Sequence, residues 1–254
     1  MSTSNLGTLR STPRSKNDST LTTSDPTDVY KFRLTGTSNI NLSLNEISFG
    51  DDADLRLYRD SNRNGRLDIR NGVVLDEEIA SSVNSSNLDD AINVRANAGT
   101  YFARVERYAL GSSGTVTYDL DLSATSPSPT ASPSNLLPKE FTVGHAGTVV
   151  RDQTYSDAVG DSDTADVYSF KLSRNYRLDS INLSGLSDDA DIRVIQDRNR
   201  NRIVDEGEVI ASSTNGGSSM DSISAGQLRT GVNYFLQVYQ YSGNTDYQLT
   251  FDVA

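Results

Sequence analysis

Cysteine and tryptophan are absent from this chain of 254 residues, and His145 is its single histidine. The lack of cysteine excludes disulfides, thiolate nucleophiles and cysteine-ligated zinc or iron–sulfur sites. One histidine excludes a metal site with two histidines and makes any Ser-His-Asp triad depend on His145 alone. Because no G-x-S-x-G motif is present and the acidic pairs fall in turn-like stretches, we do not expect an enzyme.

Long hydrophobic runs are also absent. No apolar stretch approaches the roughly 18–20 residues that span a bilayer, so no membrane insertion is expected. The first 20 residues are polar and show no apolar centre of a secretory signal peptide. The route of any export therefore stays open.

Positive charge is in short supply, with 23 Lys and Arg against 34 Asp and Glu, a net charge of −11. A chain this acidic is repelled by phosphate backbones and anionic lipid, which argues against binding to nucleic acid. Cations, or basic and neutral polymers, are the expected partners.

Five short motifs occur twice along the chain in the same order, which predicts two copies of one module. The motifs are D-V-Y-x-F at 28–32 and 166–170, D-D-A-D at 51–54 and 188–191, I-A-S-S at 79–82 and 210–213, an aromatic segment at 99–105 and 231–238, and Y-x-L at 118–120 and 247–249.

The stretch between the two copies is rich in Ser, Thr and Pro and contains four of the chain's six prolines. Such a composition favours an extended, semi-rigid and exposed linker. We therefore predict module 1 at residues 1–124, a linker at 125–138 and module 2 at 139–254.

Apolar residues alternate with period two within each copy. Tyr30, Phe32 and Leu34 lie on one side of a segment whose other side is mostly polar, and residues 40–44 repeat the pattern. Alternation of this kind, bounded by Gly, Asn, Asp and Ser, is typical of half-buried strands, and no stretch keeps a helical period. The expected fold class is all-β, with two tandem jelly-roll-like antiparallel β-sandwich modules.

The five motifs, in this order and found twice, resemble the bacterial pre-peptidase C-terminal domain in its tandem form. The resemblance covers both copies and leaves out only the linker. It implies a jelly-roll-like, non-catalytic β-sandwich that is usually attached to secreted hydrolases. It also implies a relation to the calcium-assisted collagen-binding domains of clostridial collagenases.

The most specific local signal is a segment that matches a calcium-binding loop of the EF-hand type. Gly65 stands at the turn position 6, where a positive φ is needed. Position 12 is Asn71 instead of a bidentate glutamate, so Asp76 or Glu77 would have to fold back to complete the site. The ligand positions 1, 3, 5, 7 (through its backbone carbonyl) and 9 are occupied by Asp60, Asn62, Asn64, Arg66 and Asp68.

The second copy carries the same loop with a different defect. Arg202 replaces the turn glycine and should be strained at positive φ. The ligand positions 1, 3, 5, 7, 9 and 12 are occupied by Asp197, Asn199, Asn201, Ile203, Asp205 and Glu208. A structural Ca²⁺ in both loops is one interpretation. Metal-free hairpin turns are the other, because Asn, Asp and Gly are good turn formers.

Two further acidic groups recur in both copies. In the collagenase-type relatives, acids near the D-V-Y-x-F strand share calcium with an acidic N-terminal segment, and no such segment is evident here. We therefore expect the acids before this strand to cap its entry, and those of D-D-A-D to fix a turn. The first group comprises Asp25, Asp28, Asp161, Asp163 and Asp166, and the second comprises Asp51, Asp52, Asp54, Asp188, Asp189 and Asp191.

Tyr239 and Tyr241 alternate on one face of a strand and are candidates for binding an extended polymer by stacking. In the collagen-binding relatives a similar strand carries tyrosines that contact the triple helix. Copy one has Glu106 and Tyr108 at the matching places. Ordinary cross-strand tyrosines are the alternative.

Together these observations favour a non-catalytic, calcium-binding accessory module, secreted or at the cell surface and monomeric. Its expected partner is a collagen-like protein or a polysaccharide. A structural spacer or cell-surface protein, and a non-catalytic fragment of a secreted peptidase, are the alternatives.

Overall fold

The computed structural model describes residues 2–127 and 133–254 and divides the chain into two compact units, Met1–Ser126 and Pro127–Ala254, called unit 1 and unit 2. The chain is all-β, as predicted. The one helical element of the described ranges is a single 3₁₀ turn, Ala225–Gln227. In those ranges we find no helix with the length and apolar character needed to cross a membrane.

Unit 1 consists of two sheets and a small hairpin. Sheet I has the strand order β1-β3-β10-β5-β8, sheet II has the order β2-β11-β4-β9, and β6 pairs with β7. The strands are β1 (Ser2–Thr8), β2 (Arg14–Thr22), β3 (Thr27–Leu34), β4 (Ser38–Asn45), β5 (Asp52–Arg59), β6 (Ile69–Arg70), β7 (Val73–Val74), β8 (Glu77–Ser82), β9 (Asp90–Ala96), β10 (Gly99–Ala109) and β11 (Thr115–Thr125).

Unit 2 repeats this strand order. Sheet III has the order β12-β15-β20-β17-β18, with β13 also on β15, and sheet IV has the order β14-β21-β16-β19. The strands are β12 (Phe141–Thr142), β13 (Thr148–Val149), β14 (Gln153–Val159), β15 (Ala165–Leu172), β16 (Leu178–Ser184), β17 (Asp189–Ile195), β18 (Val209–Ser213), β19 (Asp221–Ser224), β20 (Asn233–Ser242) and β21 (Thr245–Val253).

A single apolar core fills each unit between its two sheets. In unit 1, Phe32 and Leu55 of sheet I share one buried cluster with Leu42 and Leu120 of sheet II. The alternating pattern places these side chains inward, because successive residues of a strand face opposite sides of the sheet. Burial of both inner faces in one cluster makes each unit a β-sandwich.

The first strand of each unit departs from the expected antiparallel pairing. β1 runs parallel to β3, with Ser4 opposite Tyr30, and β12 runs parallel to β15, with Phe141 opposite Tyr168. The segment before each D-V-Y-x-F strand is thereby held alongside that strand.

Part of the expected linker is buried. Ser134, Leu136 and Leu137 are buried, and Leu137 packs with Val167, Ile195 and Phe235 on the outer face of sheet III. We call residues 133–140 the strap. The carbonyl of Ser134 accepts hydrogen bonds from side chains of sheet III, which fixes the strap in place. The linker residues 128–132 lie outside the described residues.

Candidate functional site

Loop 1 (residues 60–76) joins β5 to β8 and lies on the outer face of sheet I. Leu67, at the apolar position 8 of the predicted calcium loop, packs with Val74 against a small cluster of Val29, Tyr58 and Phe102. This cluster explains why both faces of β3 are partly buried, and it anchors the loop.

The side chains at positions 1, 3 and 5 of loop 1 turn inward. Both Asp60 oxygens accept backbone N–H groups, from Asn64 at 3.1 Å and from Gly65 at 2.8 Å. Asn62 Oδ1 accepts the N–H of Asn64 at 3.0 Å. Asn64 Oδ1 accepts the N–H of Arg66 at 2.8 Å. Such Asx turns fix each side chain toward the loop centre.

Position 9 and a buried aspartate close the loop. The amides of Asn62 and Asn64 donate to Asp68 at 2.5 and 2.9 Å. Asp76 accepts the N–H groups of Ser61 at 3.2 Å and of Asp68 at 2.8 Å. Asn71, at the formal position 12, lies in the turn between β6 and β7 with φ +52°. Asp76 therefore takes the closing place.

Loop 2 (residues 197–208) lies between β17 and β18 and has the same network. Asp197 accepts the N–H of Asn201 at 3.2 Å and that of Arg202 at 3.1 Å. The amides of Asn199 and Asn201 donate to Asp205 at 2.7 and 2.9 Å.

Glu208, the predicted position 12 of loop 2, is equivalent to Asp76. Its two oxygens accept the N–H groups of Arg198 at 2.7 Å and of Asp205 at 3.0 Å. Both loops thus bring their predicted side chains together. For Arg66 and Ile203, which would contribute only backbone carbonyls, a role as calcium ligand stays a prediction.

A cationic side chain lies beside each loop. Lys31 Nζ donates to the carbonyl of Gly65 at 2.7 Å. Arg202 adopts the strained φ of +60° expected at the glycine position. Its guanidinium lies 5.6 Å from the Phe235 ring centroid and donates to the carbonyl of Leu137 at 3.2 Å, so that the strained residue fastens loop 2 to the strap.

Three carboxylates meet at the entry of β15. One oxygen each of Glu140, Asp163 and Asp166 lies within 4.8 Å of the others, a spacing that could hold a metal ion. Glu140 Oε2 accepts the N–H of Val167 at 3.1 Å. Asp166 Oδ2 accepts the hydroxyl of Tyr247 at 2.6 Å. We call these three residues the carboxylate cluster.

Burial and mutual repulsion raise the pKa values of the carboxylate cluster. Burial and the charges of Asp166 and Asp163 raise the pKa of Glu140 well above its usual value. Burial and Asp157 raise the pKa of Asp163 to about 7. Burial and Asp163 also raise the pKa of Asp166. Charged oxygens held this close together favour binding of either a proton or a cation.

Sequence reasoning missed Glu140 and assigned Asp163 and Asp166 to capping. The missed glutamate belongs to the strap, 23 residues before Asp163 in the sequence, and parallel pairing of β12 with β15 brings it to the cluster. The one available sign of its role was the sequence E-F-T-V at 140–143, which places an acid directly before a short β-prone segment. Nothing in that order indicates a parallel partner.

The corresponding acids of unit 1 lack these neighbours. Asp28 Oδ2 accepts the hydroxyl of Tyr118 at 2.7 Å, as Asp166 does from Tyr247. The register places Thr3 where unit 2 has Glu140, and Ser19 where it has Asp157. In the ranges that the structure describes, unit 1 therefore has no carboxylate cluster at this place.

Of the two tyrosines predicted to share an exposed face, Tyr241 is exposed and Tyr239 is buried. Tyr239 is only 7% exposed, because it hydrogen-bonds to Asp191 and lies 5.9 Å beneath the Arg193 guanidinium. Tyr241 is 39% exposed and lies at an irregularity of the β17–β20 register, which breaks the alternation. Tyr108, at the matching irregularity of unit 1, is 74% exposed.

Of the D-D-A-D acids expected to fix a turn, Asp52, Asp54, Asp189 and Asp191 lie instead in the strands β5 and β17, whereas Asp51, Asp188 and the histidine lie in turns. Asp51 Oδ1 accepts the N–H of Gly111 at 2.6 Å, and Asp188 Oδ2 accepts that of Asn244 at 3.1 Å, so both fix turns. The backbone of His145 pairs with that of Thr148 in the turn between β12 and β13.

Comparisons with known proteins add a family for part of the chain. Residues 26–107 match the sequence profile of the family described as bacterial pre-peptidase C-terminal domain. No curated protein matches the chain.

Solved structures of several proteins are similar. The pre-peptidase C-terminal domain of Bacillus anthracis collagenase has 23% identity over 49% of this chain and 95% of its own, with a TM-score of 0.33. The PBSX exported protein XepA has 10% identity over 95% and 86% of the two chains, with a TM-score of 0.32. PliG of Aeromonas hydrophila, a periplasmic inhibitor of g-type lysozyme, has 10% identity over 49% and 100%, with a TM-score of 0.28. Residues 26–107 of unit 1 thus carry the sequence pattern of the bacterial pre-peptidase C-terminal domain.

Proposed function

We propose that this chain is a non-catalytic, calcium-binding accessory module that works outside the cytoplasm and holds a polymer. The observation that carries the proposal is the carboxylate cluster, whose three oxygens lie within 4.8 Å of one another. Asp166 is buried and Glu140 and Asp163 are half-buried, so three carboxylates this close together favour a counterion, and their position at the start of β15 would let one ion fasten the strap to the sandwich.

Calcium fits this donor set better than a transition metal. Ca²⁺ takes about six to eight oxygen ligands in flexible geometry, whereas zinc and copper sites favour nitrogen and sulfur. The cluster offers only oxygens, and the chain has no cysteine and one histidine. Glu140, Asp163 and Asp166 would hold the ion, with water completing its shell.

Loops 1 and 2 are two further proposed calcium sites. Their Asx turns direct Asp60 and Asp197 inward, and Asp76 and Glu208 supply the closing carboxylates. Lys31 next to loop 1 and Arg202 within loop 2 weaken cation binding by repulsion, so we expect low affinity. Calcium sites of extracellular modules typically have dissociation constants of about 10⁻⁴–10⁻³ M, which would suit a secreted or cell-surface location.

A non-catalytic role outside the cell is also suggested by the match of residues 26–107 to a pre-peptidase C-terminal domain. A similar structure belongs to a collagenase, and this motivates a protein polymer such as collagen as one partner to test. Tyr241 and Tyr108 are the exposed rings proposed to contact it, whereas the buried ring of Tyr239 is not accessible to a polymer.

Calcium binding is tested by titrating the chelated full-length chain with Ca²⁺ in a calorimeter and by following thermal unfolding. An ion that binds only the folded state raises stability by about 2.7 kcal/mol at a hundredfold excess over its dissociation constant. Glu140→Gln should remove the part of the binding heat and of the gain in stability that comes from the carboxylate cluster. Asp60→Asn and Asp197→Asn should remove the parts that come from loops 1 and 2. Arg174→Gln, at an exposed position, is the control. No heat and no shift in the unsubstituted chain would disprove the calcium role.

Polymer binding is tested by pull-down on collagen, chitin and cellulose with calcium present. Tyr241→Ala together with Tyr108→Ala should lower retention, whereas the buried Tyr239→Phe should not. Absence of retention on all three polymers would favour a structural spacer. A catalytic domain encoded in the same reading frame would favour a fragment of a secreted peptidase.

A further inference from the structure

Unit 2 contains a pocket of about 200 Å³ at the end of the sandwich where β14 ends and β21 begins. We call it the end pocket. One wall comes from residues 158–163, the end of β14 and the turn that follows it. The other comes from residues 244–246, with Ser187 of the loop between β16 and β17. Pockets for whole small molecules measure roughly 300–1,000 Å³, so the end pocket has room for a single side chain.

Hydrogen bonds fix both walls of the end pocket. Asn244 Oδ1 accepts the N–H of Asp161 at 2.9 Å, which joins the two walls. Thr245 Oγ1 accepts the N–H of Ser187 at 2.8 Å. Gly160 lies against the side chain of Asn244, and a Cβ at this position would collide with it. The end pocket is therefore formed before any ligand arrives, and its shape depends on glycine at position 160.

The end pocket is lined by oxygen acceptors and carries negative charge. Asp163 and Asp246 line it together with Ser162. Asp246 and Ser162 are exposed, and among the described residues the side chain of neither has a hydrogen-bond or ion-pair partner. Asp246 also lies outside the carboxylate cluster. Because none of the wall segments contains lysine or arginine, the pocket offers acceptors for a positive group and holds none of its own.

Unit 1 differs at the same end of its sandwich. In unit 2, Asp246 directly precedes Tyr247. The equivalent residue before Tyr118 is Thr117, whose N–H donates to Ser48 Oγ at 2.9 Å. An uncharged residue thus stands in unit 1 where unit 2 has an acid. This difference makes unit 1 an internal control for any cation that the end pocket binds.

We propose that the end pocket binds the ammonium or guanidinium end of a lysine or arginine side chain from a protein partner. Asp246 and Asp163 supply the negative charge, and Ser162 adds a hydroxyl acceptor. Ammonium and guanidinium groups are donors only, and their hydrogen bonds to carboxylates are among the strongest in proteins. The alkyl stem lies along Ala158 and Val159, because the stems of Lys and Arg cover apolar surface while the charged end stays in polar surroundings.

The chemistry of the end pocket favours a protein over a polysaccharide, and this part of the inference rests on the proposed polymer-binding function. None of the described residues that line the pocket is aromatic, so a sugar ring has nothing to stack on there. Cellulose and chitin are also neutral, whereas proteins carry lysine and arginine. Tyr241, an exposed ring proposed to contact the polymer, lies three residues before Asn244. The proposed aromatic contact and the end pocket therefore share the hairpin of β20 and β21.

The test records amide NMR spectra of the isotope-labelled full-length chain in chelator, so that no metal ion competes for Asp163. The probes are butylammonium and butylguanidinium, and butanol is the uncharged control with the same stem. Both cations should shift the amide signals of Ser162 and Asn244, whereas butanol should not. The signals of Ser48 and Thr117 in unit 1 should stay in place. The cation that binds more tightly identifies lysine or arginine as the preferred side chain.

Two substitutions locate the binding site. Asp246→Asn should weaken binding of the cations about tenfold, because it removes a charge-assisted hydrogen bond. Asp179→Asn is the matched control and should have no effect, since it makes the same change at an exposed position at the opposite end of β16 from Ser187. Gly160→Ala displaces the side chain of Asn244 without changing the charge and should also weaken binding. The amide spectrum of each variant shows whether it is folded.

Three results would overturn the proposal. They are the absence of a shift with either cation, an equal shift with butanol, and equal affinities of Asp246→Asn and Asp179→Asn, which would indicate only a general attraction to an acidic chain. None of these measurements involves calcium or a polymer. A failed calcium titration therefore leaves the end pocket intact, and a failed cation titration leaves the proposed calcium sites intact.

The protein partner is tested by pull-down on collagen. Asp246→Asn should lower the retention of the chain relative to Asp179→Asn, because only the first substitution removes a group that accepts the partner's cation. Equal retention of the two variants on collagen that binds the unsubstituted chain would refute the assignment of the end pocket to the partner. If the unsubstituted chain is not retained, the proposed polymer binding fails on collagen, and the cation titration still decides whether the end pocket binds.

Discussion

The hydrogen bonds that join Tyr30, Tyr118 and Asp28 in unit 1 recur in unit 2 among Tyr168, Tyr247 and Asp166. Their surroundings differ in charge. In unit 1 the adjacent positions carry Thr3 and Ser19, and the Ser19 hydroxyl accepts a hydrogen bond from Tyr30. In unit 2 the same positions carry Glu140 and Asp157. Two substitutions on a shared scaffold thus add two acids around the same network of two tyrosines and an aspartate.

The outer faces of sheets I and III differ in a related way. In unit 1 the loop supplies its own cover through the hairpin β6–β7, where Ile69 pairs with Val74. In unit 2 the strap supplies it, since Leu136 pairs with Ile203 of loop 2. The fold requires that this face be covered, and two different parts of the chain meet that requirement. The unit that uses its preceding segment is also the one that gains the extra carboxylate.

The largest expected effect is the loss of stability when the apolar cover on the outer face of sheet III is weakened. Leu137→Ala removes a side chain that is fully buried against Val167, Ile195 and Phe235, and large-to-small changes at such sites cost about 2–5 kcal/mol. The matched Val74→Ala in the half-buried hairpin should cost about 1 kcal/mol or less. Urea unfolding monitored by hydrogen exchange in each unit measures both. Equal losses would mean that the strap contributes no more than the hairpin.

The second prediction introduces the two acids of unit 2 at the equivalent positions of unit 1. Thr3→Glu together with Ser19→Asp should make unit 1 less stable in chelator and confer a calcium-dependent gain of about 2.7 kcal/mol at a hundredfold excess over the dissociation constant. Thr3→Gln with Ser19→Asn is the neutral control. Calcium titration of thermal unfolding provides the measurement. A gain equal to that of the control would show that these two positions do not account for the difference.

The pH dependence should separate the units as well. In unit 2 the folded-state pKa of Asp163 is about 7, above its ordinary value of 3.8, so the folded state binds more protons between about pH 4 and pH 7. Without calcium, the stability of unit 2 must therefore fall as pH rises through this window. In unit 1 the fall should be smaller and complete near pH 6, the pKa of Asp90. Hydrogen exchange in chelator from pH 4.5 to 8 checks this, and a rise in unit 2 would contradict it.

The smallest effect concerns two arginines of loop 2 with nearly the same positive φ. Arg200→Gly should stabilise unit 2 by about 0.5–1 kcal/mol, because an exposed side chain at φ +62° is strained and glycine is not. Arg202→Gly should instead destabilise it by about 1 kcal/mol, since it loses the contact with Phe235 and the bond to Leu137. Thermal unfolding compares them, and effects of the same sign would show that the Phe235 contact contributes little.

Local patterns predicted the fold class and the arrangement of the loops. Alternation in β3 and β4 predicted which side chains face the core, and the spacing of Asp60, Asn62, Asn64 and Asp68 anticipated their convergence. Both features depend on neighbours within a few residues. Because period two says only that residues share a face, it could not show that loop 1 or the strap covers the outer face as well.

The errors concern contacts between distant parts of the chain. Glu140 reaches Asp166 only through parallel pairing of β12, which leaves no trace in turn residues or spacing. Tyr239 is buried because Asp191 and Arg193 from the neighbouring strand surround it, and the alternation of Tyr239 with Tyr241 ends at a register irregularity. The polar composition of residues 125–138 hid the apolar pair Leu136 and Leu137 at its end.

The parallel first strand has a consequence for solubility. β1 and β12 lie along the outer edges of β3 and β15, where an unpaired strand would present free N–H and C=O groups to other molecules. A fragment of unit 2 begun after residue 142 would expose the part of that edge that β12 covers, at Tyr168 and Ser169, together with the apolar patch left by Leu137. Such a fragment should associate edge to edge, so the short opening strand protects the protein against aggregation.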